Sequence, residues 1–200
     1  MRQNLFWNSA LTASATIGIV MLISHIFEQY AVAISGSMSL IVIAALEMLI
    51  TFGIFLALLF FATRRYAKAT MEAMTDVKYF TFRQGALYVM TVCTLIGVII
   101  GLGNYIYIHN IVGYDTYIKS SVKSINMMVS LSHDPNASAA VAQAIKQLAT
   151  AEEPGLFSTI IGHVSNYMAF VGLPLGVIYG LILRRKPDLG QSNSTTTDNE

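Results

Sequence analysis

The sequence predicts an all-α, polytopic membrane protein, with four transmembrane helices and an extracytoplasmic helical loop between helices three and four. Three observations predict it. Hydrophobic residues make up 54% of the 200-residue chain and charged residues only 12%, about half the roughly 25% of soluble domains. Four apolar stretches, at about 9–27, 38–62, 84–108 and 158–183, are each long enough to cross a bilayer, which takes about 20 helical residues. Of all the Asp, Glu, Lys and Arg residues, only Glu47 falls inside them. Backbone groups in hydrocarbon must be satisfied internally, so a span is a helix or part of a closed barrel. Barrel strands run to about 10 residues with alternating polarity, and these stretches do not alternate. A net charge of +1 and a single cysteine, Cys93, exclude a nucleic-acid binder and a disulfide scaffold.

Span one follows Arg2. The apolar run to Phe27 and the Ala31-Val32-Ala33 triplet loosely fit a cleavable leader, but His25, Glu28 and Gln29 interrupt the approach to that site, so the segment is expected to remain a span. The short loop 28–37 contains Gly36 and makes spans one and two antiparallel neighbours. Span two is expected to continue as a helix from Arg64 to Asp76, because that stretch holds good helix formers and no Gly or Pro. Span three leads into a loop, 109–157, with two amphipathic segments. Ile118, Val122, Ile125 and Val129 recur at helical spacing, with Lys119, Lys123 and Asn126 between them. A second helix is expected from Asp134-Pro135, an N-cap followed by a favourable first residue, with Val141, Ala144, Ile145 and Leu148 on its apolar face. Such helices cap the bundle, lie on the membrane or receive a partner. Span four carries Pro174, expected to kink it. Residues 1–187 thus form one transmembrane domain, and the polar tail 188–200 reads as disordered.

Nine of the twelve Lys and Arg residues fall before span one, between spans two and three, and after span four, against Lys119, Lys123 and Lys146 on the opposite side. The positive-inside rule then places both termini in the cytoplasm. Phe6, Trp7, Tyr66, Tyr79, Phe80 and Phe82 at one level, and Tyr30, Tyr105, Tyr107 and Phe157 at the other, are expected to mark the membrane interfaces. The Arg64–Arg83 cluster retains that loop in the cytoplasm or contacts anionic lipid heads, at about 1 kcal/mol per charge.

Glu47 is the sharpest candidate residue. It lies about 14 Å deep at 1.5 Å per residue, where a charged carboxylate costs about 2.5–3.5 kcal/mol on insertion scales. It either carries a proton in a transport step or bonds between helices. His163 sits within about 6 Å of its depth and is the expected partner. His25, Asn104 and Asn166 also fall towards the outer side, giving a candidate intramembrane polar site of Glu47, His163, Asn166, Asn104 and His25. Gly172, Gly176 and Gly180 in span four, and Gly97 and Gly101 in span three, recur every four residues and let another helix approach closely. Ala10, Ser14 and Gly18 offer a weaker version in span one. That helix belongs either to the same bundle or to a second copy. No metal-binding, nucleophile-elbow, phosphate-loop or dinucleotide motif is found, so no catalytic residue, metal or cofactor is expected.

The segment Val77-Lys78-Tyr79-Phe80-Thr81-Phe82-Arg83-Gln84-Gly85-Ala86, the exit Asn104-Tyr105-Ile106-Tyr107-Ile108, then Tyr114-Asp115, Met127-Met128 and Arg184-Arg185-Lys186-Pro187 resemble the four-helix bacterial membrane family called domain of unknown function four-one-nine-nine. Val112-Gly113-Tyr114-Asp115 stands where that family often has a proline. The resemblance covers about 9–187 and implies a bacterial inner membrane. It implies no activity. The partners expected are the lipid bilayer and either another membrane protein or a second copy. The leading functional expectation is a scaffold or modulator of a membrane partner. The alternative is an oligomeric proton-coupled small transporter or channel using Glu47, with a membrane enzyme third.

Overall fold

One helix runs through the middle of the bundle and the others pack around it. The computed structural model describes residues 2–31, 37–74, 79–132, 141–143, 145–147, 150 and 152–186. Helices α1 (Arg2–Gln29), α2 (Met38–Glu72) and α3 (Phe82–Ile106) form the first three spans, and a π-helical turn, Tyr107–Val112, extends α3. Helix α4 (Tyr114–Ser132) follows. The fourth span is built from α5 (Leu156–Asn166), a second π-helical segment, Tyr167–Gly172, and α6 (Leu173–Leu183). Four helices are long and apolar enough to cross a membrane, and each predicted span lies within one of them. The described residues contain no strand, only an isolated bridge between Phe80 and Arg185. The predicted starting point Asp134-Pro135, the face residues Ala144 and Leu148, and the tail 188–200 lie outside the described residues; 141–143 and 145–147 are helical.

Helix α3 is central because its small and apolar residues cover more than one face. Tyr88, Val89, Val92, Cys93, Ile96, Gly97, Ile100 and Gly101 are all buried, at spacings that point alternately towards α1 and towards the fourth span. The glycine rows meet that fourth span inside the same protomer. A Cβ on Gly97 would fall 2.7 Å from Val164 Cα, and one on Gly101 2.8 Å from Ile160 Cα. On the facing side, a Cβ on Gly180 would fall 2.8 Å from the Phe82 carbonyl oxygen, and one on Gly172 3.0 Å from Cys93 Cβ. Gly176 abuts Ala86. Ala10 and Ser14 are buried in α1, and Gly18 meets Ile99 of α3. Of the two roles open to these rows, the structure uses them for intramolecular packing.

Local sequence sets the helix ends. Thr81 Oγ1 accepts from the Gln84 backbone N–H, and the Gln84 side chain accepts from the Thr81 backbone N–H, a reciprocal cap that starts α3. The residue before it, Phe80, exchanges two backbone hydrogen bonds with Arg185, at 3.2 and 2.9 Å. Two of the segments named for the family resemblance therefore clasp one end of the bundle. Pro174 has no N–H for the Phe170 carbonyl and its ring would clash there; the backbone answers with the π-helical segment immediately before it. Gly113, at φ +83°, supplies the left-handed residue between the end of span three and α4.

The aromatic residues correct one expectation. Phe6, Tyr66 and Phe80 do not sit in an interfacial belt. They join Tyr88 in a packed cluster, with the Tyr66 and Tyr88 rings stacked at 4.3 Å. Phe80 and Tyr88 are fully buried. On the other level Tyr107 is buried too, whereas Trp7, Tyr30, Phe82 and Phe157 are exposed. Position along a span sets an aromatic's depth but not the direction it faces.

Helix α2 is the outlier. Its half near the start of α1 is anchored by buried Phe55, Leu59, Thr63, Tyr66 and Ala67. Its other half, towards the loop end, buries only Ala44 and Thr51 among the residues whose side chains are described. There α2 rests on α1, while α5 packs on α3.

Candidate functional site

The polar residues at the loop end of the bundle form three separate groups. In the first, Glu47 of α2 accepts two hydroxyl hydrogen bonds. Ser24 Oγ of α1 donates to Oε2 at 3.0 Å, and Thr51 Oγ1, one turn along α2, donates to Oε1 at 2.7 Å. Both carboxyl oxygens therefore have partners. Satisfying a buried polar group in this way removes most of the penalty of placing it there.

The second group joins three helices. Asn104 Nδ2 of α3 donates to His163 Nε2 of α5 at 3.3 Å. His25 of α1 meets His163 edge to face, with ring centroids 5.4 Å apart. His25 Nδ1 is 3.7 Å from Glu28 Oε2, one turn along. Two buried atoms here, His25 Nε2 and Asn104 Oδ1, have no hydrogen-bond partner among the described residues.

The third group closes the end of span three. His109 Nδ1 donates to the Tyr105 carbonyl at 2.9 Å, and its ring stacks on Tyr105 at 4.0 Å. Its other nitrogen lies 3.3 Å from Glu153 Oε1, just before α5, within ion-pair range but without hydrogen-bond alignment. Beside this group, Tyr117 of α4 donates to Gln29 Oε1 of α1 at 2.8 Å. Burial raises the Tyr117 hydroxyl above its ordinary value of 10.0. Ile118, Val122 and Ile125 are half-buried on α4 and Lys119, Lys123 and Asn126 are exposed, as the sequence periodicity requires.

Of the five predicted polar residues, the structure brings three together: His25, Asn104 and His163. Glu47 stands apart with Ser24 and Thr51, so the expected Glu47–His163 contact gives way to two different pairings. Similar depth did not suffice because α1 turns Ser24 and His25, about 100° apart around a helix of 3.6 residues per turn, towards different neighbours. Asn166 is exposed and joins neither group. The sequence reading missed Ser24, Thr51, His109 and Glu153. Thr51 and His109 carried a signal, being one helical turn from Glu47 and Tyr105; Ser24 and Glu153 carried none.

Among the described residues, no group of three or more His, Cys, Asp or Glu is placed to hold a metal ion. Cys93 is fully buried against Gly172. The arrangement can order protons or waters through the histidine–asparagine group, and it can lock helix rotation through Glu47. Comparison with protein-family models, with curated proteins and with solved structures finds no match.

Proposed function

We propose that the chain is an integral protein of a bacterial inner (cytoplasmic) membrane, with both termini cytoplasmic, that scaffolds or modulates a membrane partner. The observation that carries this reading is the one-sided packing of α2. Its loop-end half presents Val42, Ile43, Leu46, Leu49, Ile50 and Phe52 on an exposed apolar surface, with Leu49 and Ile50 each 66% exposed. Glu47 fixes that half against α1 through Ser24, so the surface has a defined orientation. Membrane helices associate by packing and hydrogen bonding rather than by exclusion of water, and a rigid helix face suits that kind of association. The interior of the protomer is filled by Phe55, Leu59, Tyr88, Val89, Val92, Ile96 and Ile100, which supports an interaction role over a conduit within one copy. Cross-linking in mild detergent followed by pull-down tests the proposal. A reproducible assembly supports it, and a strictly monomeric protein with no reproducible partner counts against it.

A second reading rests on the unpartnered atoms His25 Nε2 and Asn104 Oδ1. In an oligomeric proton-coupled transporter or channel they would bind water on a proton route, with Glu47 as the proton site. Reconstituted Glu47→Gln protein that transports as well as wild type removes Glu47 from that role.

A further inference from the structure

At the end of the bundle where α1 begins and α6 ends, α1 and α2 part to leave a crevice of about 610 Å³, floored by Tyr66 and Tyr88. Its chemistry changes along its length. Asn8 and Arg65 lie near one end, Thr12 follows one turn further along α1, and Ile17, Leu58 and Phe61, with Thr16 among them, line the deeper part. From Asn8 to Ile17 the helix rises about 14 Å, roughly half the thickness of a bilayer's hydrocarbon core. Among the described residues, no Asp or Glu lines the crevice. Among the described residues Arg65 makes no ion pair, whereas nearby Lys68 is paired with Glu72. A long, mainly apolar slot with a guanidinium at its mouth that no described acidic residue pairs is complementary to one kind of occupant: an amphiphile with an acidic head.

We infer that this crevice seats one anionic phospholipid of the surrounding bilayer. Its phosphate lies at Arg65, where the guanidinium offers paired N–H donors, and Asn8 supplies a neutral donor beside it. One acyl chain follows Ile17, Leu58 and Phe61. The site differs from general attraction of the Lys and Arg cluster to the membrane surface, because it assigns the preference to one arginine and one groove. Arg64, adjacent in sequence, does not line the crevice and serves as the internal control.

Native mass spectrometry of the full-length protein, equilibrated with equimolar phosphatidylglycerol and phosphatidylcholine in detergent, tests the site. Wild type should retain phosphatidylglycerol over phosphatidylcholine by about fivefold, the effect of one charge near a membrane surface. Arg65→Gln should abolish the preference and Arg64→Gln should preserve it. Ala62→Trp, which fills the slot, should lower occupancy by both lipids. Equal retention of the two lipids by wild type overturns the proposal. Equal losses in Arg64→Gln and Arg65→Gln overturn it in favour of diffuse surface charge, and undiminished binding to Ala62→Trp places the lipid elsewhere.

Discussion

Ser24 Oγ on α1 donates a 3.0 Å hydrogen bond to Glu47 Oε2 on α2, and this contact holds the least supported half of α2 in place. Without it, that half is left with few buried residues. Interhelical hydrogen bonds in membranes average about 0.6 kcal/mol. Glu47→Ala, which loses the interhelical bond from Ser24 along with the bond from Thr51 within α2, should therefore destabilise the protein by at least about 0.6 kcal/mol. Glu47→Gln, which keeps an acceptor oxygen, should cost less. Thermal melts in a single detergent measure the order of the three proteins. Glu47→Ala as stable as wild type would show that the carboxyl does not position α2.

The glycine rows of α3 give a sharper test, because their neighbours are backbone atoms. Gly97→Val and Gly101→Val must push α5 away from α3, since even a Cβ would meet Val164 or Ile160 at under 3 Å. Overpacking of a tight interface costs about 1–3 kcal/mol. Gly162, on the same α5, has nothing within 4 Å of its Cβ direction. Gly162→Ala should be neutral or stabilising by up to about 1 kcal/mol, from helix propensity alone. If the rows served a second copy instead, Gly97→Val would dissociate a dimer without lowering the melting temperature of the monomer.

Tyr117 links α4 to α1 and makes this contact sensitive to alkali. Burial raises its folded-state value above 10.0, so the folded protein holds the hydroxyl proton more tightly than the unfolded chain does. Its contribution is complete below the unfolded value and is lost as the pH climbs towards the raised folded one. Tyr117→Phe removes the bond to Gln29 and should cost about 1 kcal/mol at neutral pH. The gap between the two proteins should narrow as the pH passes 10.0. Melting curves at a series of pH values check this, and a gap that stays constant contradicts it.

The spans were legible in the sequence because apolar length is a one-dimensional property. Each predicted stretch lies within an observed helix, and the helix expected from Arg64 to Asp76 is present as far as Glu72, stopping at Ala73, with Asp76 outside the described residues. The face of α4 was legible for a related reason, since Ile118, Val122 and Ile125 share one side of a single regular helix. The site was only partly legible. His25, Asn104 and His163 were gathered by depth, but the azimuth of Glu47 depends on how α1 and α2 rotate against each other, which no single-helix pattern records. Phe80 and Tyr66 show the same limit, as residues expected at an interface that instead fill the core.

In the proposed function the loop-end face of α2 meets a partner. Site-specific photo-cross-linking in native membranes tests it most directly, with the reactive residue placed in turn at Leu46, Leu49 and Ile50, and at Leu181 on exposed α6 as the control. One discrete cross-linked species common to the three α2 positions and absent at Leu181 is expected, with its yield reduced by Glu47→Ala. Cross-links to lipid alone from all four positions would contradict it.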